Sequence, residues 1–169
     1  MAKPLIVNKA YPTTEGLCPD AYSLRIISPA YASPTGELNT ILQYFYHYFH
    51  FIRCKQYDFA QTLENIAISE MFHFKLLGET ITALGASPIY TQNPPSTFNF
   101  YSTKYVAYSR TLNNMIEDDI YGERRAIDSY KRMIARLKNE HVKSIIERIT
   151  EDEELHLSAL KEILAKLKS

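Results

Sequence analysis

The chain has 169 residues, long enough for one domain with a real core. Lys plus Arg and Asp plus Glu come to 19 each, so no charge excess argues for nucleic acid or a membrane surface as partner. The two cysteines, Cys18 and Cys54, form no C-x-x-C pair, which argues against a disulfide framework and against a zinc or iron–thiolate module.

The opening Met-Ala-Lys-Pro-Leu-Ile-Val-Asn lacks the apolar core of a signal peptide. No stretch reaches the length of a spanning helix without polar residues; even Ile41 to Ile52 is broken by Gln43, His47 and His50. The expectation is a cytoplasmic protein with free thiols. Residues 1–33 are rich in Pro, Ser, Thr and Tyr, with Pro4, Pro12, Pro19 and Pro29 as breakers. They read as an extended N-terminal arm with one helical turn at Ala21–Ile27, packed on the domain or on a neighbouring subunit through Leu5, Ile6, Val7, Leu24, Ile26 and Ile27.

Residues 34–169 read as four helices. The first starts near Ser33-Pro34, a capping residue followed by proline at the first helical position, and runs to about Lys55. Glu37, Ile41, Tyr44 and Tyr48 share one of its faces, while Phe45, Tyr46 and Phe49 make an aromatic outer side suited to a homodimer interface. The second starts at Asp58, with Gln61 completing a capping box, and ends near Gly85; its inner face is Leu63, Ile66, Glu70, His73 and Leu77. A Pro-rich connection with scattered aromatics follows to about Lys104. The third helix spans about Ser109 to Lys138, with Ile116, Ile120, Glu123, Ile127, Tyr130 and Ile134 in register. Asn139 breaks it from the fourth, whose inner face is Ile145, Ile149, Glu153, His156, Leu160, Ile163 and Leu167. Short turns make each successive pair an antiparallel hairpin, and the long middle link can run the length of a bundle. The spacing thus predicts an all-α four-helix bundle, up-down-down-up, with one long crossover.

Both halves carry the same chemistry. Glu37 is followed one helix later by Glu70-Met71-Phe72-His73, and Glu123 one helix later by Glu153-Glu154-Leu155-His156. A Glu-x-x-His on a helix stacks carboxylate and imidazole on one face. All six interrupt apolar stripes, where unpaired carboxylates would cost several kcal/mol each, and no inward-facing Lys or Arg is in register to match them. Divalent cations resolve this, so Glu37, Glu70, His73, Glu123, Glu153 and His156 are the expected ligands of two metals. Carboxylates with one imidazole per metal suit iron or manganese rather than structural zinc. Such a pair sits about 3.5–4 Å apart and can bind O₂ or peroxide between its ions. Asp152 and Glu154 face outward or contact the ligands from behind. His47, His50 and His141 have no partner at ligand spacing and read as surface or core residues. Tyr44 and Tyr130, the candidate catalytic residues, each follow a lone Glu by seven positions. They either fill the core or bond a ligand carboxylate, and the spacing leaves both open.

Glu37-Leu38…Gln43-Tyr44-Phe45, Glu70-Met71-x-His73, Glu123 and Asp152-Glu153-Glu154-x-His156 resemble the ferritin-like di-iron carboxylate superfamily over about residues 34 to 167. The two-histidine set is similar to rubrerythrins and bacterioferritins; classical ferritins lack the second Glu-x-x-His. Rubrerythrins typically append a rubredoxin domain with two C-x-x-C pairs, so the resemblance implies an erythrin-type domain served by an external electron-donor protein. Bacterioferritins carry a short fifth helix, while 13 residues follow His156 here, so a cage is not expected. Met71 falls where bacterioferritins place a haem-ligating methionine, but reads as a core or interface residue. The resemblance implies two iron ions, or manganese, and a reaction with hydrogen peroxide or O₂. Dismutation of peroxide as in manganese catalases, iron storage, and a structural role as in spore-coat relatives are the alternatives.

Overall fold

The computed structural model describes residues 2–169. Among them the regular structure is helical: α1 (Ala21–Ala32), α2 (Glu37–Arg53), α3 (Tyr57–Ala83), α4 (Leu112–Arg136) and α5 (Glu140–Leu167), with one 3₁₀ turn at Thr103–Tyr105. Helices α2 to α5 form the expected bundle. No helix among these residues is long and apolar enough to cross a membrane.

Side-chain contacts fix the directions. Tyr44 bonds Glu123 while Tyr130 bonds Glu37, so α2 and α4 run antiparallel. His73 reaches Asp152 while His156 reaches Glu70, so α3 and α5 are antiparallel too. The short turns after α2 and α4 make hairpins, and residues 84–111 form the crossover. The order is up, down, down, up.

The arm holds more helix than the single expected turn. Asp20 caps α1, accepting from the amides of Tyr22 and Ser23 at 3.0 and 3.1 Å. Pro29 lies inside the helix instead of ending it. A mid-helix proline costs about 3 kcal/mol, but Ile26, Ile27, Ala30, Tyr31 and Ala32 are all buried on the bundle. At about 1.5–3 kcal/mol for each large apolar side chain, that burial outweighs the cost.

Helix α2 starts later than Ser33-Pro34 suggests. Ser33 ends α1, a tight turn follows, and Gly36 takes the N-cap position. A Cβ on Gly36 would lie 2.7 Å from the Ala30 carbonyl oxygen, so only glycine lets the two helices meet there. Glu37 consequently sits in the first helical turn. Helix α3 begins at Tyr57 without a side-chain cap, and Gln61 bonds Glu64 and Asn65 instead of closing a capping box. Gly85, at φ +94°, terminates it in the left-handed conformation, with the Ala86 amide bonding the Ile81 carbonyl at 3.1 Å. Thr111 and Asn139 cap α4 and α5, so Asn139 is a start signal as well as a break.

The core falls into two apolar clusters. One gathers Ile27, Leu77, Ile81, Ile145 and Ile149 beneath α1; the other gathers Phe51, Leu63, Ile66, Met115, Ile116 and Leu160. Between them lies a buried belt of carboxylates and imidazoles.

Candidate metal centre

All six residues expected as ligands meet in this belt, each at most 2 % exposed. Glu70 and Glu153 stand at its middle. Glu70 presents Oε2 to His73 Nδ1 at 3.1 Å and Oε1 to His156 Nδ1 at 2.9 Å. Glu153 mirrors it, with Oε1 3.3 Å from His73 Nδ1 and Oε2 3.2 Å from His156 Nδ1. Glu37 Oε2 lies 4.0 Å from His73 Nδ1, and Glu123 Oε1 lies 3.9 Å from His156 Nδ1. The result is two overlapping sets, Glu37–Glu70–His73–Glu153 and Glu70–Glu123–Glu153–His156. Each offers one ligand atom per residue within 4.8 Å of the others. The helices are nearly two-fold related about this point, which is why similar spacings in the two halves converge.

Ligands about 2.0–2.2 Å from a common ion lie about 3 Å from one another, so these separations suit a divalent cation in each set. Buried Oε2 of Glu123 and Oε1 of Glu70 and Glu153 accept no well-aligned hydrogen bond, although buried carboxylate oxygens are rarely left so. The donor set fits two metal ions.

Protons can also balance the cluster. Burial and the neighbouring Glu70 and Glu153 carboxylates push Glu37 well above the ordinary carboxylate range. Burial, with Glu153 and Glu70, does the same to Glu123. Burial alone would raise Glu70, but the His156 and His73 imidazoles hold it below its usual range. Burial opposes charge on His156 as well, yet Glu70 and Glu153 carry it up to about 9; His73 is raised against burial by Glu70, by its bond to Asp152 and by Glu153. These directions favour protons on both imidazoles and on Glu37 and Glu123 over charge on Glu70 and Glu153 when no metal is bound.

The tyrosines resolve in favour of the carboxylate contacts, and they cross over. The Tyr44 hydroxyl donates to Glu123, and the Tyr130 hydroxyl donates to Glu37, so each is bonded to the lone Glu of the opposite half. Both phenols are pushed far up by burial and by those carboxylates.

Behind the imidazoles the halves differ. His73 Nε2 meets Asp152 Oδ2 at 3.1 Å, whereas His156 Nε2 meets the backbone carbonyl of Leu5 at 2.8 Å. Asp152 also accepts from the Val7 amide at 2.8 Å and from the Tyr11 hydroxyl, and pairs with Arg148 at 2.7 Å. These bonds outweigh burial and hold its carboxyl down at about 2. Arg148 corrects the expectation that no cation faces inward. It is buried, but it serves Asp152, the Val7 and Lys9 carbonyls and the Tyr11 ring, not the ligands.

Of the flanking residues, Asp152 lies behind a ligand while Glu154 is exposed and paired with Lys131. His47 is a core residue: Nδ1 meets Asp119 at 2.9 Å and Nε2 meets the Ala107 carbonyl at 3.1 Å. Met71 is 49 % exposed on the outside of α3, not in the core. Arg148 lies four residues before Asp152 on one helix face, a signal that could have found the pair; nothing in the sequence pointed to Tyr11 or Leu5.

Fold and cluster together define a helical bundle built around a buried carboxylate–imidazole cluster that fits two metal ions. The profile of the ferritin-like domain matches residues 34–169, and the chain belongs to that family. Among solved structures, the chain is similar to the manganese catalase KatB of Anabaena. The TM-score is 0.75 at 19% identity, covering 100% of this chain and 80% of that one. It is also similar to the bacterioferritin of Desulfovibrio desulfuricans, with a TM-score of 0.72 at 24% identity over 88% of this chain and 81% of that one. BfrA, the bacterioferritin of Mycobacterium tuberculosis, gives 0.69 at 23% identity over 89% and 90%. No curated protein matches.

Proposed function

We propose that the chain is a two-metal oxidoreductase of rubrerythrin type that reduces hydrogen peroxide, or O₂, with electrons from an external donor protein. The observation that carries this is the pair of buried ligand sets sharing Glu70 and Glu153. In this reading Glu37 and His73 would hold one ion and Glu123 and His156 the other, with Glu70 and Glu153 available to both. Iron(II) in both positions would supply the two electrons that, with two protons, convert one hydrogen peroxide to two waters. The apolar clusters on either side keep bulk water out, and the crossed Tyr44 and Tyr130 hydroxyls hold Glu123 and Glu37 in place.

The arm covers the α3/α5 side; the α2/α4 side, where the crossover packs through Tyr101 and Ala107, is the proposed entry for a small oxidant. A cavity of about 270 Å³ lies there, lined by Asn39, Thr40, Gln43, Tyr105, Gly122 and Arg125. Gly122, next to Glu123, has nothing within 4 Å of where a Cβ would stand. The aromatic outer side of α2, with Phe49 62 % exposed, is the proposed contact in a homodimer. Light scattering tests that assembly: a dimer is expected, and a closed 24-subunit shell would favour iron storage.

The reaction is tested by adding one equivalent of hydrogen peroxide to the anaerobic, iron(II)-loaded protein. Fast oxidation with little or no O₂ release is expected, and turnover stops until a reductant is supplied. Sustained O₂ evolution from the manganese-loaded protein without reductant would replace this reading with dismutation, the activity that KatB is named for.

A further inference from the structure

We propose that the start of the N-terminal arm is a working part of the metal centre. The Leu5 carbonyl is the positioning group for His156, so one of the two metal positions is assembled through the arm and the other is not. The inference rests on the two-metal reading above.

The register of the two halves carries the argument. The residue directly before each shared glutamate holds the same register position on its helix. In α5 that residue is Asp152, whose carboxylate receives His73 Nε2. In α3 it is Ser69, which has no carboxylate and whose hydroxyl bonds the Asn65 carbonyl of its own helix at 3.1 Å as well as the arm. The arm fills this place. Leu5 lays its carbonyl between the two, accepting from Ser69 Oγ at 3.0 Å and facing His156 Nε2 at 2.8 Å. The strand-like stretch is held there by the Leu5 amide on the Asn65 carbonyl at 3.2 Å and by the Lys3 amide on Asn65 Oδ1 at 3.1 Å. The family match starts at residue 34, so this acceptor comes from outside the matched domain.

A carbonyl oxygen can only accept, so this contact takes the Nε2–H of His156 and orients the ring with Nδ1, the atom a metal would bind, toward Glu70 and Glu153. Remove the carbonyl and a fully buried N–H loses its only acceptor. The ring also loses the contact that holds Nδ1 toward the two shared glutamates. His73 is not exposed to this loss, because its acceptor is a side chain of α5.

The test is an anaerobic iron(II) titration of a chain shortened to begin with an initiator methionine in place of Ile6. This removes Leu5 but keeps the Val7, Lys9 and Tyr11 contacts with Asp152 and Arg148. Partners behind a ligating histidine are typically worth 10–100-fold in metal affinity. The expected result is therefore a loss of about 10–100-fold for one ion and little change for the other. Glu37→Gln and Glu123→Gln backgrounds assign the ion, since each cripples one position. Truncation should weaken the ion that remains in Glu37→Gln and spare the ion that remains in Glu123→Gln. Asp152→Asn should do the reverse. Ser69→Ala, which loosens Leu5 without shortening the chain, should weaken the same ion as the truncation and decides the matter if the short chain does not fold. An arm that only stabilised the fold would lower the melting temperature and leave the ratio of the two affinities unchanged. That result, or equal weakening of both ions, overturns the proposal. An intact chain that binds fewer than two ions would instead overturn the two-metal reading.

Discussion

The half of the site around His73 and the half around His156 are alike on the inside and different on the outside. Toward the metals, each imidazole presents Nδ1 to one oxygen of Glu70 and one of Glu153, and each lone glutamate is held by a tyrosine of the other half. Away from the metals, one imidazole leans on a carboxylate fixed by Arg148 and the other on a backbone carbonyl from the arm. The inner likeness follows from helical register, which repeats whenever Glu-x-x-His repeats. The outer difference follows from Asp152 having Ser69 as its counterpart. Near-symmetric ligands therefore need not give equivalent metals.

The largest expected effect comes from breaking what the halves share. Glu70→Ala with Glu153→Ala removes a ligand atom from both sets and should take metal content from two ions per chain to none, measured by elemental analysis after anaerobic loading. Glu37→Gln or Glu123→Gln alone should leave one. Full occupancy in the double variant would show that the belt is not the binding site.

The next effect sharpens the likeness, because both halves trade protons for metal. Two divalent ions bring four charges into a belt that is neutral with both histidines and the two lone glutamates protonated. Loading near neutral pH should release about four protons per chain, read from calorimetry in buffers of different ionisation heat. The same groups set the metal-free stability. His156 is raised from 6.5 to about 9, and His73, Glu37 and Glu123 are raised as well. A raised folded-state value gives stabilisation that is complete below the unfolded value and lost as pH climbs through the folded one. Glu70 and Glu153 are lowered, so they act only in the acid range. The metal-free protein should thus melt roughly 5–10 °C lower at pH 9 than at pH 6.5, and the metal-loaded protein should not. A metal-free melting point that rises over that interval would contradict the charge pattern.

Most of the bundle was readable in sequence because burial follows helical period. Every expected inner-face residue of α3 is fully buried, and so are Ile145, Ile149, His156 and Leu160 of α5. The candidate ligands are legible because a carboxylate interrupting an apolar stripe is conspicuous, and all six converge in one buried belt. The arm is not legible in this way. Its bonds to the site are made largely by backbone groups of Leu5, Val7 and Lys9, which have no sequence signature. Helix α1 is longer than its sequence suggests because Pro29 reads as a breaker, and only tertiary burial reveals otherwise. Tyr44 and Tyr130 were placed on the right faces, but which glutamate each would meet depends on the antiparallel pairing of α2 with α4.

The smallest effect probes that crossing. Tyr44→Phe and Tyr130→Phe each remove one hydroxyl from a buried carboxylate and should cost about 1–3 kcal/mol in the metal-free protein by denaturant unfolding. The two costs should be similar, since the inner halves match. A large cost for one and none for the other would break the two-fold likeness.

The central claim is that Glu70 and Glu153 sit between two metals. Anomalous diffraction from crystals of the metal-loaded protein tests it most directly. Two peaks are expected, about 3.5–4 Å apart, one beside His73 Nδ1 and one beside His156 Nδ1, with both glutamates between them. A single peak, or peaks elsewhere with the imidazoles still paired to the glutamates, would contradict the account.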